Sequence, residues 1–253
     1  MRQLVVVTVN WQTLDEPLRR RLLRWLNRHD PDLRNALENR LKEVLRAVRS
    51  MEDLYRLATS SSSDRTQSLA CWLIGEIGDP ATAPDVLMQA LTTGSETARI
   101  AAADALGHLR ATRSSATLAR ALRGDESRVV RERAADALGS FPGDENATAA
   151  LIASLDDLDE ATSVRGHAAE SLAYLGDARA VYAVKKALDD PAPELRFWAC
   201  FALGSLGDET VLPRLRELES SDPGSVEDLG SIKEEAAEAI RAIKYRLRHR
   251  RPT

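Results

Sequence analysis

Aromatic residues are scarce in this chain: three Phe, four Trp and four Tyr make up 4% of its 253 residues. A core of that composition must be closed by small and aliphatic side chains, as happens where helices pack closely through Ala and Leu. Cysteine is almost absent as well. Cys71 and Cys200 set up no disulfide framework. They fall at the same interior position of a repeat, four repeats apart. At about 8–10 Å per packing step they cannot approach the ~4.4–6.8 Å that a disulfide needs. No apolar run nears the ~18 residues of a membrane span. "LVVVTV" (4–9) is shorter than a signal h-region of ~7–15 residues and lacks a cleavage site. An intracellular, cytoplasmic chain is expected. No Gly-x-x-x-x-Gly-Lys and no Gly-x-Ser-x-Gly occurs, which removes P-loop and nucleophile-elbow chemistry.

Charge is present but unevenly placed. Residues 1–60 carry 12 basic and 8 acidic side chains, residues 61–243 carry 18 and 31, and residues 244–253 carry 5 and none. An acidic body between basic ends repels phosphate, so nucleic-acid binding along the body is not expected. The basic run "KYRLRHRR" (244–251) could bind nucleic acid or an acidic membrane, but reads first as a solvated helix end whose dipole favours cations.

What the chain has in abundance is one phrase, repeated. "QSLACWLIGEI" (67–77), "RIAAADALGHL" (99–109), "RERAADALGSF" (131–141), "RGHAAESLAYL" (165–175), "RFWACFALGSL" (196–206) and "KEEAAEAIRAI" (233–243) start 32, 32, 34, 31 and 37 residues apart. A helical period in the thirties signals a solenoid. Positions 4, 5, 8 and 11 are small or aliphatic and trace one helix face. Second helices are expected at 81–91, 114–122, 145–155, 178–188 and 209–218. Gly78-Asp79, Gly143-Asp144, Gly176-Asp177 and Gly207-Asp208 bridge the two helices. Glycine there can end one helix at positive φ, and aspartate can cap the next. An acid stands six residues before the leading base in most copies: Asp125 and Arg131, Asp159 and Arg165, Asp190 and Arg196, Glu227 and Lys233. Recurrence points to a ladder tying loops to helix starts rather than to a catalytic pair, which need occur only once.

"VRERAADALGSF", "LRFWACFALGSLGD" and "RGHAAESLAYLGDARAVYAVKKALDDP" resemble short HEAT-like repeats of the phycobilisome-lyase type, over about residues 65–245. The resemblance implies an all-α, right-handed α-solenoid of helix pairs. It leaves function open, because such repeats occur in adaptors, bilin lyases and a few enzymes. Residues 1–64 are expected to be an N-terminal segment and helical cap, with helices at 16–28 and 33–58. Residues 65–245 are the array of about six repeats, and 246–253 a basic tail. "SDPGSVEDLGS" (221–231) reads as a long loop. "LVVVTVNW" (4–11) is strand-like and out of place in a helical array. It docks on the cap, pairs in a dimer or stays unstructured.

Positions 3, 6 and 10 of the phrase lie away from the packed face, and the resemblance makes that face the inner, concave one. In order they are Leu69/Trp72/Glu76, Ala101/Asp104/His108, Arg133/Asp136/Ser140, His167/Glu170/Tyr174, Trp198/Phe201/Ser205 and Glu235/Glu238/Ala242. Composition alone would put about one aromatic among these positions. They hold four, with Phe197 alongside. Fixed letters hold the stack and free letters face a partner. The candidate partner-binding residues are therefore Trp72, Asp104, His108, Arg133, Asp136, His167, Glu170, Tyr174, Phe197, Trp198 and Phe201. The expected occupant is another protein or a basic peptide. The aromatics would be apolar anchors and the acids Asp104, Asp136 and Glu170 would meet its charge.

Catalysis has thin support in the sequence. Asp104/His108 and His167/Glu170 have spacings that share a helix face and could bind metal. The His-Glu dipeptides that carry iron in the HEAT-like deoxyhypusine hydroxylases are absent. A scaffold or adaptor with no enzyme activity, no cofactor and no metal is the expectation. A bilin-lyase-like or lyase-chaperone role is the alternative, and a metal-dependent enzyme with His/carboxylate ligands the third.

Overall fold

The computed structural model describes residues 13–26 and 44–249. The strand expected at 4–11, residues 27–43 of the two expected N-terminal helices and the last four residues of the basic tail lie outside the described residues. The chain divides into two compact units, Met1–Leu109 and Arg110–Thr253.

The first unit contains α1 (Glu16–Leu26), α2 (Met51–Ser60), α3 (Asp64–Ile77), α4 (Ala83–Thr93) and α5 (Glu96–His108). α2 packs on α3, α4 on α5, and α3 on α5, while α1 lies against α3. The helix expected to run unbroken from 33 to 58 is in fact interrupted. Residues 44–47 are helical and residues 48–50 are not. Ser50 forms a capping box that starts α2: its Oγ accepts from Asp53 N at 3.2 Å, and the Asp53 carboxylate accepts from Arg49 N and Ser50 N. Satisfying those orphan amides starts a new helix, although the apolar stripe continues across the break through the buried Val44, Leu45, Val48 and Leu54.

The second unit contains α6 (Ser115–Gly124), α7 (Arg128–Leu138), α8 (Glu145–Asp156), α9 (Thr162–Leu175), α10 (Val181–Ala187), α11 (Pro193–Leu206), α12 (Leu212–Ser221) and α13 (Ile232–His249). Helices pair in sequence, α6 with α7 through α12 with α13, and the phrase-bearing helices α7, α9, α11 and α13 each pack on the next. The segment expected to be a loop at 221–231 instead holds a small hairpin, Ser225–Val226 paired antiparallel with Gly230–Ser231.

The fixed letters of the phrase are explained by packing. Positions 4, 5 and 8 are buried in α7 (Ala134, Ala135, Leu138), α9 (Ala168, Ala169, Leu172) and α11 (Ala199, Cys200, Leu203). Glycine at position 9 marks where consecutive phrase helices touch. A Cβ added to Gly139 would sit 2.8 Å from Ser171 Cβ, and one on Gly75 would sit 2.8 Å from Ala105 Cβ. Gly139→Ala is therefore expected to force α7 and α9 apart and lower stability by about 1–3 kcal/mol. Urea unfolding checks this, and an unchanged midpoint would contradict it.

The Gly-Asp pairs cap as expected, but by two routes. Gly143 and Gly176 adopt positive φ (84° and 69°). Gly78 and Gly207 have extended backbone and are small for space instead: an added Cβ would lie 2.4 Å from Ile74 O and 2.7 Å from Leu203 O. Every paired aspartate accepts from a backbone N–H just ahead: Asp79 from Ala81, Asp144 from Ala147, Asp177 from Arg179 and Asp208 from Thr210. The Arg179 guanidinium and amide hold the Asp177 carboxyl down at about 2. Where the pair is missing, Arg110 itself takes φ 49°.

The ladder of acids and bases exists, but its ion pairs run to the next repeat. Arg131 grips Glu160 with two bonds of 2.8 and 2.9 Å, Arg165 pairs with Asp190 at 2.9 Å, and Arg196 grips Asp222 at 2.7 and 2.9 Å. The acid six residues before contributes its backbone carbonyl, as Asp125 does to Arg131 and Asp190 to Arg196. The carboxylates of Asp125 and Asp190 accept from Ser127 N and Ala192 N in their own loops. The expected pairing of Arg165 with Asp159 is replaced by Asp190, because the guanidinium points along the stack rather than back into its own loop. Lys233, exposed at the start of the last repeat, has no counterpart of this grip among the ion pairs of the described residues.

This ladder predicts an acid-dependent stability. The Arg196 guanidinium holds the Asp222 carboxyl below its ordinary value. A depressed pKa stabilises the fold above about pH 4 and loses that stabilisation as pH falls through the folded value. Asp222→Asn should cost about 2 kcal/mol at pH 7, and its melting curve should converge on wild type toward pH 2–3. A constant difference across that range would contradict the assignment.

Both cysteines are buried and free, and burial pushes each thiol up to about 12. They are core side chains, as the repeat position implied.

Candidate functional site

The free letters of the second unit converge. α7, α9 and α11 lie side by side, each presenting positions 3, 6 and 10 of its phrase. On α7, Arg133 donates to Asp136 Oδ2 at 3.1 Å. The other oxygen, Asp136 Oδ1, lies 2.7 Å from His167 Nδ1 on α9. One turn along α9, Tyr174 Oη donates to Glu170 Oε1 at 2.9 Å. The Tyr174 ring then meets Phe201 on α11, edge to face, with centroids 6.1 Å apart. Phe201 meets Trp198 in the same way at 5.7 Å, and Trp198 meets Phe197 at 5.5 Å. One row of side chains thus crosses three repeats, acidic at the α7 end and aromatic at the α11 end.

Exposure sorts this row. Tyr174 is 61% exposed, and Phe197 is 6% exposed. Asp136, His167, Glu170, Trp198 and Phe201 are half-buried. Phe197 was expected on the binding face; it belongs instead to the core, where it supports the Trp198 indole from beneath. The Asp136 carboxylate bonded to His167 holds the imidazole pKa above its ordinary value, against the opposing effect of burial. Burial and the bond to Glu170 raise the Tyr174 hydroxyl, which stays a donor at neutral pH.

Gly166 is the residue that the sequence reading missed. A Cβ there would lie 3.0 Å from Trp198 Cδ1, so its absence lets the indole lie on α9. The available signal was the second letter of the phrase, glycine in this copy but Ile100, Glu132 or Phe197 in its neighbours.

The remaining candidates belong to the first unit. Trp72 is half-buried and its ring packs edge to face on Trp25 of α1 at 5.7 Å, while Trp25 Nε1 donates to Glu76 Oε2 at 2.8 Å. The first repeat therefore uses positions 6 and 10 to hold α1, and Leu69 at position 3 is buried. Asp104 and His108 are exposed on α5. In the basic C-terminal run, Arg246 donates to the carbonyls of Gly204 and Gly207, so it caps the end of α11. Tyr245 stacks on His249 at 4.1 Å.

Comparison with known proteins follows the same repeat. The HEAT-repeat family model matches residues 51–139, 84–162 and 148–241. The chain belongs to the HEAT-repeat family. The first matched stretch begins at α2, within the segment expected to be the N-terminal cap. Among solved structures, an engineered protein is 21% identical with a TM-score of 0.54, over 88% of this chain and 67% of that one. A second engineered protein is 22% identical with a TM-score of 0.52, over 77% and 96%. The complex of CpcE and CpcF of phycocyanin lyase from Nostoc sp. PCC7120 is 23% identical with a TM-score of 0.53, over 68% and 71%. At these identities the likeness is one of fold. No curated protein matches the sequence at a significant level. Among the described residues no helix of this HEAT protein is long and apolar enough to cross a membrane.

Proposed function

We propose that this HEAT protein is a binding scaffold that holds a cationic segment of another protein on the face running from Asp136 to Trp198. The role is recognition, as an adaptor, rather than catalysis. The single observation that carries it is the row itself: two carboxylates and three partly exposed aromatic rings, brought together from three repeats at positions that the stack does not need. Half-buried Trp and Phe on a helical face lose water contact when a partner covers them, and such rings are typical interface anchors. Lysine or arginine over an aromatic face, with a carboxylate in reach, adds cation–π and charge-assisted bonding. The net charge of the 61–243 segment favours the same partner, since its 31 acidic side chains exceed its 18 basic ones.

The test is selection of a displayed random-peptide library on the immobilised full chain. Enrichment of Lys- or Arg-containing peptides with an aliphatic or aromatic residue nearby is expected. Enrichment of acidic peptides, or of none, would sink the reading.

A further inference from the structure

We infer that Asp136, His167 and Glu170 form a binding site for a first-row divalent metal ion, each side chain giving one ligand. The inference goes beyond the scaffold reading and does not rest on it, although a bound ion would occupy the same two carboxylates that a cationic segment would meet.

Among the described residues this is the group of His, Cys and carboxylate side chains that converges, with one ligand atom of each lying within 4.8 Å of the others. Donors at about 2.0–2.2 Å from a shared ion are separated by about 3–4.2 Å. Side-chain rotations would close the longer separations and open the 2.7 Å bond between Asp136 Oδ1 and His167 Nδ1, whose shared proton the ion would replace. His167 and Glu170 stand three residues apart on α9 and so share a face. Asp136 comes from the neighbouring α7, so two packed helices fix the three donors.

The outer contacts are those that a metal site uses. Arg133 bonds one oxygen of Asp136 at 3.1 Å, and Tyr174 bonds one oxygen of Glu170 at 2.9 Å. Glu170 is oriented through one oxygen and keeps the other for an ion, whereas Asp136 would offer Oδ1, which now bonds His167 Nδ1 at 2.7 Å. Side-chain exposures of 30% for His167 and 31% for Asp136 leave a solvent side, where water or a ligand group completes the coordination. One imidazole and two carboxylates form a mixed N/O set suited to Zn2+, Mn2+ or Fe2+. Ca2+ would ask for about 6–8 oxygens.

The sequence suggested two separate pairs, Asp104/His108 and His167/Glu170. Among the described residues the second acquires a third donor, because the repeat period brings position 6 of α7 beside position 3 of α9.

The test is calorimetric titration of the full chain with ZnCl2 and, separately, MnCl2, in chelator-free buffer. One saturable ion per chain is expected. Asp136→Asn, His167→Gln and Glu170→Gln should each weaken it at least tenfold, with helicity unchanged by circular dichroism. Asp104→Asn/His108→Gln should leave it unchanged. Bound Mn2+ should also broaden the Tyr174 ring signals in the NMR spectrum of the unmodified protein, a readout that does not depend on any variant folding. Absence of saturable one-to-one binding, or binding that survives all three substitutions, overturns the site. Trp198→Ala/Phe201→Ala should keep the ion, so loss of the peptide face and loss of the metal site are told apart.

Discussion

Replacing Trp198 and Phe201 together by alanine is expected to lower the affinity of a selected basic peptide at least 30-fold. Each ring is half-buried and touches the other edge to face at 5.7 Å, so the pair acts as one anchor. Truncation of a central aromatic anchor costs about 2 kcal/mol or more, and ~1.4 kcal/mol is tenfold in Kd. The melting temperature should move by only a few degrees, because Phe197 and the α11 core beneath stay in place. Asp136→Asn/Glu170→Gln should weaken the same peptide less and flatten its salt dependence, since the acids contribute mainly through charge. Isothermal titration of both variants decides the matter. Equal affinity for wild type and the aromatic variant would remove the anchor role.

Arg165→Ala is expected to be the most damaging substitution to the fold, at about 3–5 kcal/mol. Arg165 and Asp190 are 10% and 7% exposed in their side chains, and Arg165 also donates to Leu155 O at 3.1 Å. Removing the guanidinium strands a buried carboxylate and a carbonyl in the joint between two HEAT pairs. The exposed pair Arg241 with Glu238 gives the contrast, since pairs of that kind contribute about 0–1 kcal/mol. Arg165→Met combined with Asp190→Leu should recover much of the loss, because no charge is then left unpaired. A loss under 1 kcal/mol for Arg165→Ala in urea unfolding would show that the ladder does not hold the repeats together.

The stack was readable in the sequence because packing repeats itself. Small residues at positions 4 and 5 and aliphatic ones at position 8 recur wherever one helix lies on the next, and Gly-Asp recurs at most of the turns that need a cap. The ladder was half readable. Its residues recur, but the direction in which Arg165 extends depends on how the pairs stack, so Asp190 displaced Asp159 as its partner. The break before α2 was hidden by an apolar stripe that continues through Val48 into Leu54, while the decisive signal was one capping box at Ser50 and Asp53. The candidate site was readable as a set of letters and not as an arrangement. Periodicity put Asp136, His167, Glu170, Tyr174, Trp198 and Phe201 on one kind of face. It did not show that Trp72 packs on Trp25, that Phe197 turns inward, or that Gly166 makes room for an indole. Those depend on contacts between helices that share no sequence proximity.

The central claim is that the face between Asp136 and Trp198 is where a partner binds. The chain carries four tryptophans, and each indole N–H gives its own NMR signal. The most direct measurement is therefore a titration of the nitrogen-15-labelled protein with a selected basic peptide, following those signals. The account predicts that the Trp198 indole shifts with the peptide's own Kd, while Trp25, bonded to Glu76, stays in place. A Trp198 signal that does not move at saturation, with shifts confined to the first unit, would contradict it.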